Sequence, residues 1–241
     1  MRGRRSLDPL RNDLSRPVLE AAFGPLASEF QSCTYCVMDT TDPQIRFSAD
    51  GVCSHCLTAS MRGDGFATRR EKLLSEMLDL LASRRSAEQF DSIIGVSGGI
   101  DSSVCMEWAA EHELNPLIVH VDAGWITQAA VSNVESLCTT FGFDLETVVI
   151  DWEQMRGLQV AFLWSGVANQ DMPKDHVLFA ALYQVALQYG IRCVIEGRNW
   201  QTESILPIAW GHSARDTVHL RSVARRFGDA PIDRLPIMPE W

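Results

Sequence analysis

The sequence predicts a parallel, doubly wound α/β sheet with a small four-cysteine module ahead of it. Three observations lead there. From residue 91 onward, short continuous apolar runs alternate with helix-like stretches, the pattern of strands buried on both faces and joined by crossover helices. The first of those runs leads into a glycine- and serine-rich turn, GVSGGIDSSV, from Gly95 to Val104. Upstream, Cys33-Thr-Tyr-Cys36 and Cys53-Ser-His-Cys56 form two close cysteine pairs, the spacing of metal-binding turns.

In chain order, residues 1–31 carry no strong periodicity and are expected to be an N-terminal extension, with a short helix around Val18–Ala27 after Pro17. The basic start lacks the apolar core of a signal peptide, because Asp8, Pro9, Arg11 and Asp13 interrupt it. Residues 32–60 form the cysteine module, and residues 61–241 the α/β domain. Within the latter, Leu73, Leu74, Met77, Leu78 and Leu81 recur at helical spacing, which predicts a core-packing helix over 68–83. Strands are expected at Ser92–Val96, Pro116–Val121, Leu145–Ile150 and Arg192–Glu196. Helices are expected over 101–113, 127–141, 153–165 and 176–189. In such a sheet ligands bind at the carboxyl ends of the strands, where the glycine-rich turn lies.

The 241-residue chain is 46% hydrophobic and 22% charged, with a formal net charge of −10, ordinary values for a globular protein. The absence of a long apolar run excludes a transmembrane helix and points to a cytoplasmic, membrane-free protein. The acidity argues against a nucleic-acid partner. Only Lys72 and Lys174 occur as lysines, so a cationic handle for phosphate would be an arginine. Seven cysteines, an odd number, without an export signal argue against a disulfide framework.

In the turn, Gly98 and Gly99 permit positive φ and leave no Cβ in the way. Successive N–H groups can then converge on an anion, helped by the start of the following helix. Ser97, Ser102 and Ser103 add hydroxyl donors. Asp101 is the odd member, since a carboxylate repels phosphate; it fits if a Mg²⁺ lies between them or if it caps the helix. Neither G-x-x-x-x-G-K-[ST] nor G-x-G-x-x-G is present. The cysteines read C-x₂-C-x₁₆-C-x₂-C, a set that completes a tetrahedron without an open position and so predicts a structural zinc. An iron–sulfur cluster is the alternative, and His55 a further candidate ligand that the complete set makes unnecessary. Cys105, Cys138 and Cys193 read as inert core thiols.

The segment S-G-G-I-D-S-S (97–103) resembles the signature of the PP-loop ATP pyrophosphatases, which have an adenine nucleotide alpha hydrolase-like fold. The resemblance implies that ATP is split into AMP and pyrophosphate. It further implies that Ser97, Gly98, Gly99, Asp101, Ser102 and Ser103 hold the pyrophosphate end, with Val96 counted in the ATP site. Several segments together are similar to one branch, the N-acetyl sugar amidotransferases of bacterial surface-polysaccharide (lipopolysaccharide) biosynthesis. These are the cysteine region 33–56, H-V-D-A-G-W (120–125), V-I-D-W (149–152), P-K-D-H-V-L-F-A-A-L-Y (173–183) and E-G-R-N-W-Q-T-E-S-I-L-P (196–207).

That likeness implies an ATP-dependent amidotransferase, or ligase, converting an N-acetyl group on a nucleotide-linked sugar into an acetamidino group. Ammonia would come from a separate glutaminase and synthase pair, and a C-terminal part beyond residue 241 would be expected. A homo-oligomer stays open. Asp122 at the end of the second strand could meet the adenosine or a metal, and the backbone around His120 and Val121 could recognise adenine. Gly197 and Asn199 follow the fourth strand, where backbone passes near a nucleotide. Glu203 could bind metal or take the proton from incoming ammonia, a catalytic role shared with Asp101. Asp175, His176, Arg198 and Thr202 are candidate substrate residues, Arg198 for the charge of pyrophosphate or AMP unless it is a solvated surface arginine, though Asp175 could simply cap a helix and His176 simply pack at the start of an amphipathic one. Two other readings remain: a PP-loop tRNA-thiolation enzyme, and a non-catalytic nucleotide-binding subunit of a complex.

Overall fold

The computed structural model describes residues 29–85, 89–197 and 213–240. The expected helix around Val18–Ala27 lies outside them. Contacts divide the chain into two compact units, Met1–Glu76 with Ile205–Trp210 and Met77–Ser204 with Gly211–Trp241.

In the first unit, irregular backbone gathers Cys33, Ile45, Phe47 and Cys53 into a small core. Antiparallel bridges pair Ser32 with Asp39 and Phe47 with Cys53. Helix α1, Ser54–Arg85, then begins inside the second cysteine pair, well before the expected start near residue 68. Cys53 makes this possible. Its carbonyl accepts from Leu57 N (3.1 Å) and its Sγ from Cys56 N (3.5 Å), the two bonds an N-cap residue supplies. The leucine stripe serves only the end of α1. Leu81 is fully buried and Met77 and Leu78 pack partly, whereas Leu73 is 47% exposed.

The second unit holds the sheet. Its elements are β1 (Ser92–Val96), α2 (Ile100–Glu111), β2 (Pro116–Asp122), α3 (Gln128–Phe141), β3 (Leu145–Val149), α4 (Trp152–Ser165), α5 (Met172–Gln188), β4 (Val194–Ile195) and α6 (Thr217–Phe227). The four strands are all parallel, in the order β3-β2-β1-β4. The chain therefore winds outward through β2 and β3, then crosses back to the other side of β1, which places a topological switch point between β1 and β4. Two apolar layers cover the sheet. Ile93, Leu117, Val119 and Val121 pack with α4, α5, α6 and the segment beyond. Ile94, Val96 and Ile118 pack with the end of α1 and with α2 and α3. This alternation is the period-two geometry of strands sandwiched between helices.

Three expectations need correction. The third strand, L-E-T-V-V, is an edge strand that alternates between exposed and half-buried residues, rather than being buried on both faces. The fourth shrinks to two residues, because only Ile93 and Ile94 of β1 pair with it. The helix expected to start at residue 176 starts at Met172, where Pro173 takes one of the first two helical positions, which need no N–H donor.

Residues 228–240 carry no regular secondary structure but are fastened by polar bonds that span the chain. Gln154 Oε1 accepts from Arg234 N (2.8 Å) and its Nε2 donates to Asp233 (2.6 Å). Thr217 Oγ1 donates to Met238 O (3.0 Å). His176, fully buried in α5, donates from Nδ1 to Ala214 O (2.7 Å) and accepts at Nε2 from Met238 N (3.2 Å). These partners define the neutral tautomer, and burial holds the ring below its usual pKa. In the folded state His176 thus stays neutral where an unfolded chain would bind a proton. Its contribution is intact above about pH 6.5 and is lost as pH falls towards the lower, folded value. We expect His176→Ala to cost about 2–5 kcal/mol. His176→Gln, which can keep both bonds without titrating, should flatten the loss between pH 7 and 5 in urea midpoints.

Candidate functional site

The expected anion cradle sits at the carboxyl end of β1, beside the switch point. Gly98 has φ +77°, and a Cβ there would lie 2.4 Å from Ala130 O and 2.8 Å from Ala130 Cα. Only glycine fits, because the turn lies directly on the first turn of α3, and Asn133 Nδ2 reaches Gly98 O (3.4 Å). Gly99 is the N-cap of α2 in extended conformation, with no side-chain cap. The first N–H of α2 to bond inside the helix is that of Ser103, to Gly99 O (3.2 Å). The N–H groups of Ile100, Asp101 and Ser102 precede it and form the positive end of the helix.

The hydroxyls brace the turn. Ser102 and Ser103 donate to Gly99 O (3.0 and 2.8 Å), Ser102 Oγ accepts from Ser97 N (3.4 Å), and Ser97 Oγ accepts from Gly99 N (3.4 Å). Asp101 is exposed in the first turn of α2. One turn later, burial and then the Asp101 carboxylate push the Cys105 thiol up, and burial does the same to Cys138. Both therefore remain protonated thiols, unlike a reactive cysteine.

The other candidates fall around this turn to different degrees. Val96 ends β1, and its carbonyl takes a hydrogen bond from Nδ1 of His120 at 3.1 Å. Val121 turns its side chain into the core, and its backbone is paired in the sheet beside Val148 of β3. Asp122 ends β2 and accepts from Gly124 N (2.8 Å). Gly197 follows β4, and a Cβ there would lie 2.7 Å from Asp101 O and 3.1 Å from Cys105 Sγ. Its need for glycine comes from close packing on α2. Asp175 lies in the first turn of α5, while the N-cap is Asp171. His176 is the clamp described above. With both nitrogens bonded to backbone and no exposed surface, it is a structural residue, not an acceptor ligand. Arg198, Asn199, Thr202 and Glu203 lie outside the described residues.

Two features were not foreseen. The His120 ring is 3% exposed, and its Nε2 is buried without a hydrogen-bond partner among the described residues. Its signal in the sequence, a polar residue inside the apolar run P-L-I-V-H-V, drew attention only to the backbone. The second is a cluster just beyond β4, where Glu196 pairs with Arg215.

The four cysteines converge. All four Sγ atoms lie within 4.8 Å of one another, with Cys36–Cys53 at 3.7 Å and Cys33–Cys56 at 4.0 Å. A tetrahedral ion with sulfurs at about 2.3 Å requires sulfur–sulfur edges of about 3.8 Å, so the group fits one metal ion. Tyr35 N and Cys53 N donate to Cys33 Sγ (3.3 and 3.2 Å), and Met38 N to Cys36 Sγ (3.4 Å), as a cluster of thiolates needs. Burial opposes ionisation of Cys33, but the N–H groups of Cys53, Tyr35 and Cys36 bring its thiol down to about 6. Burial pushes Cys53 up to about 11 and raises Cys56 further. His55 is not in the group; its Nε2 lies 2.8 Å from Oδ2 of the buried Asp42.

Fold and site together define a parallel α/β protein with a tight glycine-rich strand-to-helix turn at the end of its first strand and a four-cysteine group in its other unit. No helix among the described residues is long and apolar enough to cross a membrane. No protein-family model matches the chain, and no curated protein does. Solved structures with some likeness include the NH3-dependent NAD synthetase from Campylobacter jejuni, at 14% identity over 64% of this chain and 72% of that one, with a TM-score of 0.41. NMN synthetase from Francisella tularensis matches at 15% identity over 70% and 74%, with a TM-score of 0.43. The glutamine-dependent NAD+ synthetase from Acinetobacter baumannii matches at 18% identity over 54% of this chain and 27% of its own, with a TM-score of 0.41.

Proposed function

We propose that the chain is an ATP-dependent amidotransferase of the PP-loop type, acting on an N-acetylated, nucleotide-linked sugar with release of AMP and pyrophosphate. The observation that supports it is the cradle. A left-handed Gly98 pressed on α3 exposes the start of α2 at the switch point of a parallel sheet, where such folds bind nucleotides. The N–H groups of Ile100, Asp101 and Ser102 at the start of α2 hold the β- and γ-phosphates, with the other N–H groups of the turn bracing it. Mg²⁺ held by Asp101 would neutralise charge on the departing pyrophosphate.

The amide oxygen of the acetamido group attacks the α-phosphorus, and the bond to pyrophosphate breaks. Ammonia then adds to the activated carbon, gives up a proton, and AMP leaves with the former amide oxygen, so that C=N replaces C=O. Glu203 is the proposed acceptor of that proton. Asp122, the backbone of His120 and Val121, Gly197 and Asn199 are proposed for the adenosine. Asp175 and Thr202 are proposed for the acceptor, and Arg198 for the charge of pyrophosphate or AMP.

Residues 32–60 are the metal module, holding a structural zinc on Cys33, Cys36, Cys53 and Cys56. Residues 61–241 are the adenylating domain and residues 1–31 an extension. A glutaminase and synthase pair supplies ammonia, in the cytoplasm.

The test is incubation with ATP, Mg²⁺, ammonium and a panel of UDP-N-acetyl sugars, followed by mass spectrometry of the sugar. Conversion of an N-acetyl group to an acetamidino group lowers the mass by about the difference between oxygen and NH. Asp101→Ala should lose this conversion while the cysteine unit stays folded. Unchanged turnover in that variant would remove Asp101 from the mechanism.

A further inference from the structure

Arg215 is held more firmly than an ordinary surface arginine. Its guanidinium lies over the rings of Phe179 (5.0 Å) and Tyr183 (5.7 Å) on α5, and Nη2 donates to Glu196 Oε1 at 3.2 Å. Its own N–H is tied to Ser213 Oγ (3.2 Å). Yet 47% of the side chain stays exposed. The location gives this arrangement meaning. Glu196 is the first residue beyond β4, and Gly197, the next, packs against the Asp101 carbonyl in the first turn of α2. Register puts Val194 beside Ile93, so Glu196 shares the α5 side of the sheet. The cradle lines the α2 side. Both stand at the carboxyl end, on the two sides of the β1/β4 switch point.

We infer that Arg215 is a cationic residue of the polyphosphate site, held in place by Glu196 and exchanging that carboxylate for phosphate oxygens when a polyphosphate binds. The inference rests on the adenylating function proposed above. Three pieces of chemistry support it. A cradle made of N–H groups and hydroxyls, with a carboxylate at Asp101, carries no full positive charge of its own. The planar guanidinium offers paired donors that match phosphate oxygens, and aromatic stacking fixes its plane in advance. An ion pair whose guanidinium is about half exposed is weak, so a polyanion can compete with Glu196 for it. The lysines are engaged on their own helices, Lys72 with Glu76 (3.8 Å) and Lys174 with Asp171 (3.1 Å).

The experiment is calorimetric titration of the full chain with Mg²⁺-pyrophosphate, on the wild type and on Arg215→Met, Arg215→Lys and Glu196→Gln. Thermal melts establish that each variant is folded. Methionine keeps the apolar contact with Phe179 and Tyr183 but removes the charge, and should weaken binding by about 10-fold or more. Lysine should recover part of the loss. Glu196→Gln should bind at least as tightly as the wild type, because the competing carboxylate has gone. Wild-type affinity in Arg215→Met would overturn the role of Arg215 while leaving the adenylating function intact. Failure of the wild type to bind would overturn both. Arg215-dependent binding without AMP formation from ATP would leave the anion site standing and remove the adenylating function.

Discussion

Gly98→Ala is expected to lower AMP formation by on the order of 10²-fold or more, since a misplacement of about 1 Å at a reacting group has an effect of that size. Two costs coincide at this residue. The backbone is left-handed, at φ +77°, and an added Cβ would meet Ala130 O at 2.4 Å. The first costs about 1 kcal/mol and the second, as overpacking against backbone, about 1–3 kcal/mol. The turn can escape only by moving off α3, which turns its N–H groups away from the anion. Gly142 provides the control. It has nearly the same φ, +71°, but nothing within 4 Å of its Cβ position, so Gly142→Ala should show the backbone cost alone and keep activity. Chemical denaturation together with AMP release by chromatography separates the two effects. Equal losses of activity in both variants would mean that the shape of the Gly98 turn is not what matters.

The second large effect is expected at the cysteines. Among the described residues of the first unit, the core cluster comprises Ile45, Phe47, Cys33 and Cys53, with Cys36, Met38, Val52 and Cys56 packed against it. That is far below what holds a small unit without a staple. A structural zinc contributes about 10 kcal/mol or more to such a fold. Cys53→Ala, or exhaustive treatment with a chelator, should therefore open residues 29–57 to protease while the sheet retains its circular dichroism. Metal analysis should find one zinc per chain, colourless in the visible range as a closed-shell ion must be. Visible absorption with stoichiometric iron would replace zinc by a cluster. An intact, metal-free cysteine unit would refute a metal role altogether.

Much of this architecture is legible in the residues. The strands β1 and β2 announce themselves because buried parallel strands are apolar on both faces, and Gly98 and the cysteine pairs because their backbone or ligand geometry admits few substitutes. Where the expectation fails, the reason is context. Leu145–Val149 is an edge, which a local apolar run cannot reveal. Helix α1 starts at Ser54 because the Cys53 thiol takes the place of a capping oxygen, a role that propensity does not assign to cysteine. His176, at the start of an amphipathic helix, is open in the sequence to either a packing role or a substrate contact, and its partners, Ala214 and Met238, lie 38 and 62 residues away. Gln154, which fastens Asp233 and Arg234 from 79 and 80 residues away, gave no signal for the same reason. Arg215 became visible only once folding set it beside Glu196.

The most direct test is the identity of the products formed from ATP. Phosphorus NMR of a reaction containing the protein, ATP, Mg²⁺, ammonium and an N-acetylated nucleotide sugar should show AMP and pyrophosphate accumulating in equal amounts. ADP with orthophosphate would mean that cleavage occurs at the terminal phosphate, and would contradict a cradle that holds pyrophosphate as the leaving group.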